Sequence, residues 1–205
     1  VKFFLVRHGE TEWNKLGRFQ GQQDIPLNEL GLAQARETAQ ALAALKPTAL
    51  YSSPLYRTMQ AAEEISRAVG LPVIKEEGFK ELRLGDLEGV TGQEMQERWP
   101  QIYAAWRNKP AKVVMPNGES LSQLQERVWG ALLKLEKYQE ESDILVVVSH
   151  NFAIRCIVAK LLGMPLSHFH RMSLSLSSIC TLESNKASRR LVCYNSTCHL
   201  SPESR

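Results

Sequence analysis

The chain has 205 residues, 43% hydrophobic and 23% charged, a globular composition with enough length for a substantial core. Its 25 Lys+Arg against 22 Asp+Glu give a formal charge of +3. That is too little to make nucleic acid or an anionic membrane the expected partner, though it allows a local positive pocket. No apolar run approaches the roughly 20 residues that span a bilayer, and residues 3–6 are cut off by Arg7 before they could form a leader, so a cytoplasmic protein is expected.

The apolar opening Val1-Lys2-Phe3-Phe4-Leu5-Val6 breaks into Arg7-His8-Gly9-Glu10. This reads as a buried strand whose C-terminal end presents a cation and an imidazole, with Gly9 allowing a sharp turn. Ligands of open α/β sheets bind outside the carboxyl ends of strands, which is where Arg7 and His8 stand. Residues 11–26 form a long polar connection of the kind that carries function. Asn28 caps a helix to about Ala44, with Leu32, Ala35, Ala39 and Leu42 as its buried stripe and Pro47 beyond its end. A second strand covers 49–53. Ser53-Pro54 then read as N-cap and first residue of a helix stopped by Gly70, which puts Arg57 in the first turn on the same rim as His8.

Residues 71–74 form a short strand, and the irregular, glycine-punctuated stretch 79–89 carries Glu81 and Glu88. Capping boxes at Thr91/Glu94 and Ser120/Gln123 start a short helix ending near Pro100 and a long one to about Tyr138. With a further helix at 102–106, residues 90–118 make a helical excursion. The β-branched run 144–148 is a central parallel strand ending in Ser149-His150-Asn151, and the helix after it reaches Leu162. Residues 175–183 and 189–197 pair as a hairpin around Asn185-Lys186, and 201–205 fray. The order predicts an α/β fold, a three-layer α/β/α sandwich with a mostly parallel central sheet and antiparallel edge strands, as one domain over 1–205.

Two strands therefore end alike, in Arg7-His8 and Ser149-His150. If they are neighbours, two imidazoles converge on one cleft with Arg7 and Arg57. That set suits a phosphoryl group: the guanidiniums fork to nonbridging oxygens, while one histidine attacks phosphorus and the other donates to an oxygen. The arginines also hold the nucleophile unprotonated near neutral pH. Metal is the rival use of paired histidines, but two flanking arginines repel a dication and no Cys or Asp cluster accompanies them. A leaving alkoxide needs a proton, and a carboxyl near a dianionic phosphate has a raised pKa; Glu81 is the best-placed donor and Glu88 its competitor.

The stretch Leu5-Val6-Arg7-His8-Gly9-Glu10-Thr11-Glu12-Trp13-Asn14 resembles the signature of the histidine phosphatase superfamily, in its phosphoglycerate mutase-like branch. The resemblance continues through Pro26-Leu27-Asn28-Glu29-Leu30-Gly31, Ser52-Ser53-Pro54-Leu55-Tyr56-Arg57, Glu81-Leu82-Arg83-Leu84-Gly85, Asn117-Gly118-Glu119-Ser120 and Val148-Ser149-His150-Asn151. It implies a phosphohistidine mechanism with His8 as nucleophile, Arg7, Arg57 and His150 as phosphate clamp, and Glu81 as general acid and then base. Asn14 and the Gln20-Gly21 backbone resemble the family's secondary phosphate contacts, no cofactor or metal is implied, and Asn151 stands where many members carry Gly. The basic, proline-rich stretch of true phosphoglycerate mutases is missing and the excursion is short, so a phosphatase acting on a small-molecule phosphate ester is expected ahead of a mutase, with a phosphate-binding adaptor as the non-enzymatic alternative. Candidate substrates are α-ribazole 5′-phosphate, phosphoserine, phosphoglycerates and sugar phosphates.

Other features have plainer expected roles. Trp99, Tyr103, Trp106 and Met115 either line the pocket or, the favoured reading, pack the excursion onto the body. His168 and His170 have metal-like spacing but are expected to be solvated or structural, and Arg189-Arg190 to guard an edge strand. Cys156, Cys180, Cys193 and Cys198 are expected reduced, a Cys180–Cys193 disulfide being the alternative. The chain is expected to be a monomer or, through the free hairpin edge, a homodimer.

Overall fold

The computed structural model describes residues 1–185 and 188–205. Six strands, β1 (Lys2–Arg7), β2 (Ala49–Ser52), β3 (Val73–Lys75), β4 (Ile144–Ser149), β5 (Ile179–Ser184) and β6 (Arg189–Ser196), form one sheet in the order β3-β2-β4-β1-β5-β6. The first four strands are parallel; β5 and β6 are antiparallel and close one edge. Helices α2 (Glu29–Ala43) and α3 (Tyr56–Val69) cover one face, packed on Val6, Leu50, Val146 and Val148. Helices α6 (Leu121–Glu136) and α7 (Asn151–Leu161) cover the other, over Phe3, Leu5, Leu145 and Val147. Both faces of the central strands are therefore apolar, which is why 144–148 reads as a continuous hydrophobic run rather than an alternating one. The fold class is the three-layer α/β/α sandwich expected. Among the described residues, no helix is long and apolar enough to cross a membrane.

Several boundaries differ from the sequence reading, each for a local reason. The polar connection contains a short helix, α1 (Glu12–Lys15), because Thr11 and Asn14 form a reciprocal capping box. Helix α3 starts after Leu55, so Ser53 is not its cap. Strand β3 lies later than expected and β5 starts at Ile179, since Ser177 adopts φ 51° and turns the chain. The tail is docked rather than frayed: Ser204 Oγ donates to Glu37 Oε1 (2.7 Å) and Ser204 O accepts from Gln34 Nε2 (2.8 Å). Lys186, half of the expected hairpin turn, lies outside the described residues. The excursion folds as α4 (Gly92–Arg98) and α5 (Pro100–Asn108). All four cysteines are free thiols, Cys156 and Cys180 buried, so the Cys180–Cys193 disulfide is not formed.

One close approach fixes the segment that follows β1. Helix α2 runs so near residues 9–10 that a Cβ on Gly31 would lie 2.1 Å from Glu10 O, and a Cβ on Gly9 2.6 Å from Gly31 O. Backbone against backbone cannot give way, so both positions require glycine. The turn after His8 is thereby pinned to the body of the fold.

Candidate active site

Strands β1 and β4 are neighbours in register, Arg7 opposite Ser149, so the next residues of each strand emerge together at the carboxyl rim. These are His8 and His150, their rings edge to face at 5.3 Å. His8 Nδ1 lies 2.7 Å from Gly9 O. A carbonyl only accepts, so Nδ1 carries the proton and the lone pair is on Nε2. Arg57 Nε donates to that Nε2 at 3.2 Å. Burial first, then Arg57 and Arg7, holds the His8 pKa well below the usual imidazole range. The atom that Arg57 meets is a neutral, unprotonated nitrogen.

Arg57 is fully buried at the start of α3, where Asp24 Oδ1 accepts from Tyr56 N (2.8 Å). Its other nitrogens donate to Gln23 O (2.8 Å) and Gly21 O (2.7 Å), tying the guanidinium to the polar connection. Arg7 Nη1 donates to Leu174 O, while Arg7 Nε is buried without a hydrogen-bond partner. Burial lowers both guanidiniums to about 10, so they stay cationic at neutral pH. His150 Nε2 lies 2.8 Å from Ser53 Oγ, which explains why Ser53 is no cap, and its Nδ1 is buried without a partner. Burial, Arg57 and His8 depress the His150 pKa as well.

Glu81 is 6% exposed, and its carboxylate accepts from Leu82 N (2.8 Å), Phe152 N (3.1 Å) and Ala153 N (3.2 Å), the last two from the first turn of α7. Burial raises its pKa more than these bonds and the arginines lower it. Its carbonyl is held by Gln22 Nε2 (3.0 Å) and Arg127 Nη2 (3.2 Å). Arg127 also donates to Gly78 O and Lys80 O (both 2.9 Å) and pairs with Glu119 at 2.5 Å. Glu88, the competing carboxylate, instead braces the connection: it accepts from Gln22 N (2.9 Å) and Gln23 Nε2 (2.7 Å). A Cβ on Gly21, whose φ is +52°, would lie 2.3 Å from Glu88 Oε1.

A cavity of about 170 Å³ lies between these groups. Arg7, His8, Asn14, Gln20, Gly21, Arg57, Glu81 and Asn151 all line it, and His150 sits one ring behind His8. The sequence reading passed over Arg18, Phe19, Leu84 and Phe152 in the lining, and Ser53, Gln22 and Arg127 behind it. Of these, Ser53 and Leu84 lay inside a quoted motif; the others are set by tertiary contacts. Trp106 and Met115 close an apolar crevice of about 10 Å³ beside the cavity, against Phe19, Leu84 and Phe152. Trp99 and Tyr103 pack on the main core, so these aromatics pack rather than line. His170 Nε2 bonds Trp106 O at 2.7 Å, a structural role. Among the described residues, no cluster of three or more His, Cys, Asp or Glu is placed to hold a metal ion.

Residues 3–197 match the family model of the histidine phosphatase superfamily (branch 1). Phosphoserine phosphatase 1 of Hydrogenobacter thermophilus is 38% identical over 200 residues, 98% of this chain and 94% of that protein. A Cronobacter sakazakii protein named Probable phosphoglycerate mutase GpmB is 37% identical, over 89% of this chain and 85% of its own length. The crystal structure of phosphoserine phosphatase from Entamoeba histolytica in complex with 3-phosphoglyceric acid superposes with a TM-score of 0.88 at 33% identity, covering 98% of this chain and 99% of that one.

Proposed function

The chain belongs to the histidine phosphatase superfamily, and from that premise we propose that it is a phosphomonoester hydrolase working through a phosphohistidine at His8. The observation that carries this is the state of His8 Nε2: buried, unprotonated, its tautomer set by Gly9 O, met by the Arg57 guanidinium and opening on a cavity that Arg7 also lines. As a phosphate ester enters, Arg57 Nε turns from His8 Nε2 to a nonbridging oxygen, and the freed lone pair attacks phosphorus in line with the ester oxygen. Arg7, Arg57 and His150 stabilise the oxygens; the unpartnered Arg7 Nε and His150 Nδ1 are donors suited to them. Asn14, Gln20, Gly21 and Asn151 complete the wall around the group.

The P–O bond breaks as Glu81, whose carboxyl is shifted by burial toward the protonated form, gives a proton to the leaving alkoxide. The resulting carboxylate then takes a proton from water as its oxygen attacks phosphorus and the P–N bond breaks, which restores His8 and Glu81. These side chains supply the charge stabilisation themselves, so turnover without metal is expected. Substrates named for the relatives make phosphoserine and phosphoglycerates the first candidates, with α-ribazole 5′-phosphate and sugar phosphates after them. The GpmB relative favours one second reading, phosphoglycerate mutase; isomerisation of 3-phosphoglycerate faster than its hydrolysis would put it first.

The test is hydrolysis of p-nitrophenyl phosphate in excess EDTA with acid quenching to trap a labile phosphoenzyme. His8→Ala loses both the trapped species and at least about a thousandfold in rate; full activity of that variant refutes the proposal. Glu81→Gln lowers kcat/KM by about 10²–10⁴ on alkyl phosphates and far less on the nitrophenyl ester, whose leaving group needs no proton.

A further inference from the structure

Three guanidiniums line the cavity, and the phosphoryl group of the proposed reaction engages two of them. Arg7 and Arg57 are the buried pair beside His8. The third, Arg18, stands on the outer wall, where the chain pairs with Thr91 and Gly89 N donates to Phe19 O at 2.7 Å. Arg18 is anchored by one nitrogen: Nη1 donates to Gly89 O at 2.6 Å and reaches Glu94 Oε2 at 3.4 Å. Its Nε and Nη2 make no hydrogen bond among the described residues, and its side chain is 37% exposed. The carboxylate of Glu94 does not neutralise it fully. That group is already bound to Thr91 N at 2.8 Å and is itself 42% exposed, so the pair is weak and screened. The guanidinium is thus oriented by the protein while the edge that would fork onto a planar oxyanion is left unused.

The rest of the cavity narrows what that oxyanion can be. Phe19, Leu84 and Phe152 are apolar, so Arg18 is the cation available to a leaving group. At about 170 Å³ the space is well below the roughly 300–1,000 Å³ of sites for drug-sized ligands. Once the phosphoryl group is seated, the enclosed part of the cavity leaves room for a short leaving group beside Arg18. We infer that Arg18 is a specificity-determining residue that binds a carboxylate on the leaving group, so that the site selects short phosphate monoesters carrying a carboxylate. The inference rests on the phosphatase reading above and names the substrate class for the same site.

Matched pairs test it. O-Phosphoserine and O-phosphoethanolamine differ only in the carboxylate, and 3-phosphoglycerate and glycerol 3-phosphate differ in the oxidation state of one carbon. The wild-type enzyme prefers the carboxylate member of each pair by at least about tenfold in kcat/KM, expressed mainly in KM. In Arg18→Gln that ratio falls to within about twofold of unity. Arg18→Lys keeps the charge without the fork and restores part of the preference. Equal losses on both members of a pair overturn the inference and leave Arg18 as a brace for Gly89. So does a wild-type enzyme that hydrolyses both members equally, a result independent of whether the variants fold. Failure of the wild-type enzyme to hydrolyse any of the four, or p-nitrophenyl phosphate, counts against the phosphatase reading instead.

Discussion

Arg127 does not line the cavity, yet its replacement should impair proton donation. Its guanidinium holds Gly78 O, Lys80 O and Glu81 O at 2.9 to 3.2 Å and pairs with Glu119 at 2.5 Å, spanning the segment that delivers Glu81 to the cavity. In Arg127→Met these acceptors lose their partner in a part-buried setting. With a net worth of about 1 kcal/mol for each of the three bonds to carbonyls and somewhat more for the bond to Glu119, the fold should lose about 4–5 kcal/mol. Glu81 keeps its carboxylate contacts to α7 but loses much of the support behind its carbonyl, and a shift on the order of 1 Å costs about a hundredfold in a well-positioned step. We expect kcat/KM on O-phosphoserine to fall about 30- to 100-fold and on p-nitrophenyl phosphate less than about fivefold, because nitrophenolate leaves without a proton. In the Glu81→Gln background the same substitution should add less than about threefold, since two changes acting on one step are not additive. Equal losses on both esters, or additivity with Glu81→Gln, would show that Arg127 is merely structural.

Ser53→Ala leaves His150 Nε2 buried without its 2.8 Å partner, and the competitive Ki of orthophosphate should rise about tenfold; an unchanged Ki would mean that Ser53 does not orient the clamp. Stability should also fall with acid in a defined window. Both histidine pKa values are depressed in the fold, so below about 6.5 the unfolded chain takes up protons that the folded one does not. Their contribution is present above that value and lost as pH falls, at up to about 1.4 kcal/mol per pH unit for each histidine. Glu81 acts with the opposite sign: its raised pKa adds stability that is fully present below the usual carboxylate range and lost as pH rises through the folded value. His199 is depressed by burial in the same sense, so urea unfolding from pH 6.5 to 5 should show a slope that His8→Ala reduces by about a third to a half, and a flat wild-type profile would contradict the burial of neutral imidazoles.

What could be read from the residues alone was whatever depended on near neighbours in the chain. The runs 1–6 and 144–148 announced buried strands, and the capping boxes at Thr91 and Ser120 set real helix starts because cap and partner are three residues apart. That His8 and His150 share a rim was conditional until the pairing of β1 with β4 was seen, because 142 residues of sequence say nothing of strand order. Ser53 was misread for an instructive reason. Ser-Pro is good capping chemistry, but His150 Nε2 takes the same hydroxyl and the helix begins after Leu55. Glu88 sits in the glycine-punctuated stretch 79–89 as a rival to Glu81, yet it serves the backbone of a loop 66 positions away, at Gln22 N, and Arg127 works through carbonyls, which any residue could supply. Contacts to backbone leave no residue-specific trace.

Helix α7 ties two of these groups into one mechanical piece. His150 is the residue from which the helix departs, and the first free amides of the same helix, those of Phe152 and Ala153, grip the carboxylate of Glu81. In the proposed mechanism the clamp and the proton donor therefore ride on a common lever. A displacement of that helix end moves the group that reads phosphate and the group that releases the alcohol in the same direction at once. Directed evolution along this helix would meet a coupled landscape, in which changes that retune leaving-group scope also retune product inhibition by phosphate. Separating the two traits requires changes on the far side of Glu81, at the segment that Arg127 and Gln22 hold.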